Sequence, residues 1–257
     1  MSEILQIKNL TKVFGGLIAV NDLTMNITSD NIHALIGPNG SGKTTTINMI
    51  SGVLPCDGGE VLYNGENIIG QATDENARIG LVRTFQNIKL FGSMSVIENI
   101  MIGGHSFTSV NMIESVFNLK KRKEEEKKLI EKASEILGFI GMYHLSNENV
   151  KNLPYGQQKM LEIGRALMSR PKLLLLDEPA AGLNPTERME LINMLEKIFS
   201  QGIKLFLVEH NMDVIMNLCG IITVLNFGKK IAEGTPNEIQ ANPEVIKAYL
   251  GKRYQKA

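Results

Sequence analysis

Residues 37–44 read Gly-Pro-Asn-Gly-Ser-Gly-Lys-Thr and fill every fixed position of G-x-x-x-x-G-K-[ST]. The spacing has a chemical reason. Gly37, Gly40 and Gly42, with Pro38, Asn39 and Ser41 between them, let backbone N–H groups turn inward around a phosphate. The helix expected to follow adds partial positive charge at its N-terminus. Lys43 can reach the β- and γ-oxygens of a nucleoside triphosphate, and the Thr44 hydroxyl can ligate Mg²⁺. Thr45 is placed with them on the phosphate side. An ordinary glycine turn is the alternative, but the loop stands between an apolar strand, "NIHALIG", and a helix opening "KTTTINMI", which is the context the motif needs.

A second constellation is "LLLLDEP", which sets Asp177 and Glu178 at the C-terminal end of a buried strand. Ligands of open α/β sheets bind beyond that end. Asp177 is placed to hold Mg²⁺, directly or through water, and Glu178 to polarise an attacking water as general base. Two acids closing an apolar strand can also be a solvated strand end; the phosphate loop decides for catalysis. His210 closes another apolar strand, "IKLFLVEH", and a γ-phosphate there could accept a hydrogen bond from its ring. His33, His105 and His144 are read as structural. Gln86, in "RTFQNIKLF", is by spacing alone only a polar loop residue.

The elements that must position these groups alternate. "ILQIKNLTKVF" and "NDLTMNITSD" are short strand-like runs separated by turn residues, and "GGEVLYNGENI" is a hairpin. A charged helical stretch runs from about Phe107 to His144. Then "GQQKMLEIGRALMS" (helix), "KLLLLDEP" (strand), "PTERMELINMLEKIFSQG" (helix) and "IKLFLVEH" (strand) follow. "IITVLNFGKKIAEG" is strand-turn-strand, and short helices end the chain. Such alternation implies a mainly parallel sheet covered by helices, with a helical insertion in the middle.

The chain has 257 residues and 43% apolar content, enough for one large α/β domain. Lysine plus arginine, 27, equals aspartate plus glutamate, 27, which argues against a nucleic-acid-binding surface. The "KKRKEEEKK" run has mixed signs, with Glu124 and Lys128 spaced for a helical pair, and reads as a solvated helix face. Cys56 and Cys219 lie far apart, as buried thiols of a reduced compartment do. The first residues show no apolar leader, and no apolar run reaches the ~18–20 residues that span a bilayer. A membrane role would need a partner.

Together the motifs resemble the ATP-binding cassette subunit of an ABC transporter, in family order and over nearly the whole chain. They are Phe14, "GPNGSGKT", Gln86, "LPYGQQ", "LLLLDEP", "AAGLNP" and His210. The resemblance implies a P-loop NTPase cassette as a single domain over 1–257. A core with an antiparallel β subdomain would take 1–100 and 160–257, and a helical signature subdomain 101–159. It implies ATP and Mg²⁺ as ligands, with Phe14 stacking on adenine and Gln86 contacting Mg²⁺ and the water. Gly156 and Gln157 of the signature loop would complete the phosphate site of a second cassette, head to tail, in a homo- or heterodimer. Integral-membrane permease subunits would dock near the Gln86 loop on the cytoplasmic face of the membrane, with an extracytoplasmic solute-binding protein as indirect partner. "IGLVRTFQNIKLF", "LDEPAAGLNP", "LVEHNMDVIM" and "GTPNEIQANPEVIKAYLG" are similar to branched-chain amino acid importers, and to the longer of their two cassettes.

Three positions depart from the family pattern. Pro154 stands for the signature serine, Tyr155 for its first glycine, and Asn184 for a common aspartate; Tyr155 and the Gly-Leu-Asn-Pro wording around Asn184 fit the branched-chain subgroup. Proline offers neither hydroxyl nor N–H, so phosphate contact would rest on the Gly156 N–H and the helix start. Other cargoes (urea, amides, exported envelope lipids) remain open, as does a soluble cassette ATPase. A single cassette and a short charged helix disfavour the last.

Overall fold

The computed structural model describes residues 3–104 and 119–250. In chain order the first half holds β1 (Glu3–Phe14), β2 (Leu17–Thr28), β3 (His33–Ile36), α1 (Lys43–Ile50), β4 (Gly58–Tyr63), β5 (Glu66–Asn67), α2 (Thr73–Arg78), β6 (Leu81–Arg83) and α3 (Val96–Ile102). The second half holds α4 (Leu119–Phe139), α5 (Tyr155–Met168), β7 (Leu173–Asp177), α6 (Pro185–Ser200) and β8 (Lys204–Val208). It closes with α7 (Met212–Leu218), β9 (Ile221–Asn226), β10 (Lys229–Gly234), α8 (Pro236–Ala241) and α9 (Pro243–Leu250).

A four-stranded antiparallel sheet has the order β2-β1-β4-β5. β1 and β2 are each 12 residues long, longer than the sequence suggested. Asn9 and Asp22, inside the two strand-like runs, mark irregularities in the pairing. Asn9 and Asp22 take φ of 51° and 56° where the register shifts, and Asn9 Nδ2 donates to Asp22 Oδ1 at 2.6 Å.

The second sheet has six strands in the order β10-β9-β3-β8-β7-β6, parallel from β9 to β6 with β10 antiparallel at one edge. Strand β7 is buried along its whole length, as a parallel strand covered on both faces must be. Successive residues feed opposite faces. Leu174, Leu176, Leu205 and Leu207 enter the core with α5 and α6; Leu173, Leu175, Phe206 and Val208 enter a second core with β1, β2 and α1. Helix α1 touches β2 as well as β7 and β8, so it is packed between the two sheets.

At the start of β3, His33 is buried and its Nε2 lies 2.8 Å from Thr223 Oγ1. The Thr223 hydroxyl donates to Glu233, so it accepts from the His33 ring. Burial pushes this imidazole down to about 4, which keeps it neutral and structural, as expected from the sequence.

Helices α3, α4 and α5 pack together as the helical region. Along α4 the ion pairs Lys127–Glu131 (3.8 Å) and Lys132–Glu135 (2.7 Å) face solvent, the solvated face that the mixed charges implied. His105 and residues 107–118 of the expected helical stretch lie outside the described residues. Among the described residues, no helix is long and apolar enough to cross a membrane.

Candidate active site

The phosphate loop leaves β3 at Ile36 and becomes α1 at Lys43. Its last turn requires glycine: Gly42 has φ 105°, and a Cβ there would stand 2.5 Å from the Ala19 carbonyl oxygen. Lys43 spans the loop, its Nζ donating to Gly37 O at 2.7 Å and Pro38 O at 3.1 Å. Ser41 N donates to Pro38 O, and Gly228 N, from the β9–β10 turn, donates to Ser41 O. Ser41 Oγ is buried with no partner. Asn39 and Gly40 are exposed at the tip, Thr44 is exposed and Thr45 half-buried. Burial holds the Lys43 ammonium below the usual lysine range, while the charges of Glu178 and Asp177 pull the other way.

Both carboxylates arrive on the same edge because β3, β8 and β7 end level: Leu35 pairs with Val208, and Val208 with Asp177. Glu178 sits just past β7 with φ 47°, a left-handed backbone that costs a side-chain-bearing residue about 1–3 kcal/mol. Its N–H donates to Val208 O at 2.8 Å, which fixes that conformation. The carboxylate is met from two sides. Gln86 Nε2 donates to Oε2 at 2.8 Å, and His210 Nδ1 stands 3.6 Å from Oε1. Asp177 is buried and ion-paired to Arg83 at 2.7 Å.

Glu209, which the sequence reading passed over, organises the loops behind this edge. It is fully buried and accepts from three main-chain N–H groups, those of Ala180, His210 and Asn211. The loop after β7 and the loop bearing His210 are thereby held by one side chain.

A second missed set lies on α5. Lys159 is buried and its Nζ donates to Gln86 O at 2.9 Å. Lys89 N donates to Glu162 Oε1 at 3.3 Å, and Arg165 Nη1 donates to Lys89 O at 2.5 Å. Burial lowers Lys159 and raises Glu162 relative to their ordinary values. The available signal was the spacing of Lys159, Glu162 and Arg165, three residues apart on one helix face otherwise flanked by apolar side chains.

The signature loop enters α5 through Pro154, which occupies the position before the first helical residue with φ −54° and ψ 152°. Leu153 is buried there, and Gln158 Nε2 donates to its carbonyl at 2.9 Å. A Cβ on Gly156 would come within 2.5 Å of Glu187 Oε1, so glycine lets α5 approach α6 closely. Tyr155 packs beside Gly182, and Gln157 is half-buried. Asn184 caps α6 by accepting from Glu187 N at 3.0 Å, a task asparagine performs as well as aspartate. Lys43, Gln86, Asp177, Glu178 and His210 thus share one edge of the sheet. Gly156 and Gln157 sit apart from them, at the start of α5. Phe14 is 46% exposed at the β1–β2 turn, with Lys12 Nζ 5.4 Å from its ring centroid.

A phosphate loop between strand and helix, with a strand-end Asp-Glu pair beside it, defines a P-loop nucleotide hydrolase. The family model described as "ABC transporter" matches residues 20–181, and one described as "Branched-chain amino acid ATP-binding cassette transporter" matches 229–255. The high-affinity branched-chain amino acid transport ATP-binding protein BraF of Pseudomonas aeruginosa is 40% identical over 250 residues, 97% of this chain and 98% of that protein. LivG of Escherichia coli, bearing the same description, is 37% identical with the same coverage. A crystal structure of a nucleotide-free ATP-binding cassette from an ABC transporter superposes with a TM-score of 0.86 at 34% identity, covering 98% of this chain and 100% of that one. The chain belongs to the ABC transporter family, as an ATP-binding, ATP-hydrolysing cassette of the branched-chain amino acid group.

Proposed function

We propose that ATP is hydrolysed at the edge formed by Lys43, Gln86, Asp177, Glu178 and His210, and that turnover powers import of branched-chain amino acids. The observation that carries the catalytic part is the setting of Glu178, held on a left-handed backbone between Gln86 and His210. Glu178 takes the proton of the attacking water. The Gln86 amide orients the carboxylate and senses the membrane partner, and His210 donates to the γ-phosphate. Lys43 and the loop N–H groups of Asn39, Gly40 and Gly42 to Thr45 stabilise charge on the transferred phosphoryl, and Phe14 stacks on adenine.

Among the described residues, no three His, Cys, Asp or Glu side chains gather as a metal site. The Thr44 hydroxyl, Gln86 and Asp177 nevertheless form a hard oxygen donor set, which fits Mg²⁺ bound largely through substrate phosphates and water. When bound, that ion supplies charge neutralisation at the phosphates.

The chain works as one cassette domain over 1–257, with core lobes 1–100 and 160–257 and a helical lobe 101–159. It lies peripherally on the cytoplasmic face of the membrane, paired head to tail with a second cassette and docked on permease subunits. Gly156 and Gln157 then complete the partner's phosphate site. The substrate assignment is supported by the similarity to BraF and LivG, which are branched-chain amino acid transport ATP-binding proteins.

Glu178→Gln should lower turnover by about 10²–10⁴-fold while ATP stays bound. Near-normal ATPase activity with the membrane partner present would sink the assignment of the base. For cargo, the cassette co-purified with its membrane subunits and solute-binding protein should show ATPase stimulated by leucine. Stimulation by urea or short amides instead would reassign it.

A further inference from the structure

Arg83 makes a set of contacts that the catalytic scheme leaves unused. Its side chain is 4% exposed, and the guanidinium reaches three partners from the end of β6. Nη2 donates to Asp177 Oδ2 at 2.7 Å; Nη1 donates to Asn48 Oδ1 at 2.7 Å and to Ser51 Oγ at 2.9 Å. Asn48 lies on α1 and Ser51 directly follows it, so the helix behind the phosphate loop is tied to the carboxylate of β7. Nε is buried without a partner. Stability alone does not explain such a pair. Two charges taken out of water together are often matched or bettered by apolar side chains of the same volume.

The charges at the edge suggest another purpose. Asp177, Glu178 and the buried Glu209 bring three negative charges, and Lys43, Arg83 and the buried Lys159 bring three positive ones. Without Arg83, a carboxylate pair beside Thr44 and Gln86 would offer an anionic surplus to any divalent cation. We propose that Arg83 is a positioning residue that makes cation binding conditional on nucleotide. It occupies one oxygen of Asp177 and offsets its charge, so the cassette is a poor cation site until a triphosphate brings negative charge and further oxygen ligands. This inference rests on the reading of Asp177 as the carboxylate on the cation side.

The probe is Mn²⁺ alone, titrated into the nucleotide-free cassette and followed by electron paramagnetic resonance of the free ion. Arg83→Gln removes the charge while keeping hydrogen-bonding capacity, and should tighten Mn²⁺ binding by about tenfold or more. Unchanged binding overturns the proposal. Arg83→Lys keeps the charge and should stay within about twofold of wild type; a large gain in that variant overturns it equally, and it serves if the glutamine variant folds poorly. Asn48→Ala and Ser51→Ala loosen the brace without altering charge. They should lower the melting temperature but leave Mn²⁺ binding as it was, and a gain matching that of Arg83→Gln would reduce Arg83 to a brace. Asp177→Asn, titrated with Mn²⁺ in the presence of ADP, checks the underlying reading on its own. It should lose about tenfold in affinity, and no loss removes Asp177 from the cation side whatever Arg83 does.

Discussion

The edge of the six-stranded sheet and the start of α5 both carry motifs of the cassette family, yet they are finished to different degrees. At the sheet edge nearly every group is already held: Lys43 by two carbonyls, Glu178 by Gln86 and the Val208 carbonyl, and the loops behind them by Glu209. At the start of α5, Pro154 and Tyr155 face solvent, and no side chain caps the helix. Groups fixed beforehand in a low-dielectric site stabilise developing charge without reorganising. The start of α5 offers only main-chain N–H groups and a helix N-terminus, which gain a role when an anion is brought to them. On the proposed function, the chemistry is therefore prepared within one chain, and the signature side is left to be completed by assembly.

That contrast can be broken most severely at Glu209. Glu209→Ala strips three main-chain N–H groups of their acceptor, the Ala180 one buried and those of His210 and Asn211 part-buried, so urea unfolding should show a loss of about 2–4 kcal/mol. A loss under ~1 kcal/mol would mean that the loops hold themselves.

His33, at the end of β3 away from the phosphate loop, tests the sheet through pH. The buried ring titrates at about 4 against the usual 6.5. The unfolded chain therefore takes up a proton as pH falls through 6.5, before the folded one does. Stability from this group is full above that pH and falls by about 3 kcal/mol toward pH 4. In His33→Gln this part of the acid slope should vanish; an unchanged slope assigns it elsewhere.

On the signature side the expected effects appear in association. Pro154→Ser restores a hydroxyl worth about 1.5–3 kcal/mol toward a charged group. In a Glu178→Gln background, ATP-driven dimerisation measured by analytical ultracentrifugation should tighten by about tenfold, with little change in monomer stability. No gain would show that the helix start already suffices. The smallest effect is expected from Asn184→Ala, about 1 kcal/mol of stability through loss of the α6 cap.

The shared sheet edge was legible in the sequence because its strands are short apolar runs that end in titratable residues, as "LLLLDEP" and "LFLVEH" do. The sequence also marked the phosphate loop, where residue type and spacing leave little choice. It understated β2, which begins at Leu17 in the stretch taken as turn between the two strand-like runs, and gave no sign of the irregular pairing at Asn9 and Asp22. It also missed Arg83, Lys159, Glu162 and Glu209. Pattern reading assigns charged residues to solvent, and here each is removed from water and matched by partners distant in the chain. Such pairings become visible only once β6, α5 and β8 are brought together.

The grip of α5 on the Gln86 loop has a mechanical consequence. Three bonds from residues 159, 162 and 165 run along one stripe of the helix to residues 86–89. A load arriving at that loop cannot be absorbed by the loop bending on its own. It is delivered as a displacement of α5, whose first turn carries Gly156 and abuts Glu187. Loop and helix are thus tied as one lever, with the Glu178 carboxylate beside one end and the start of α5 at the other.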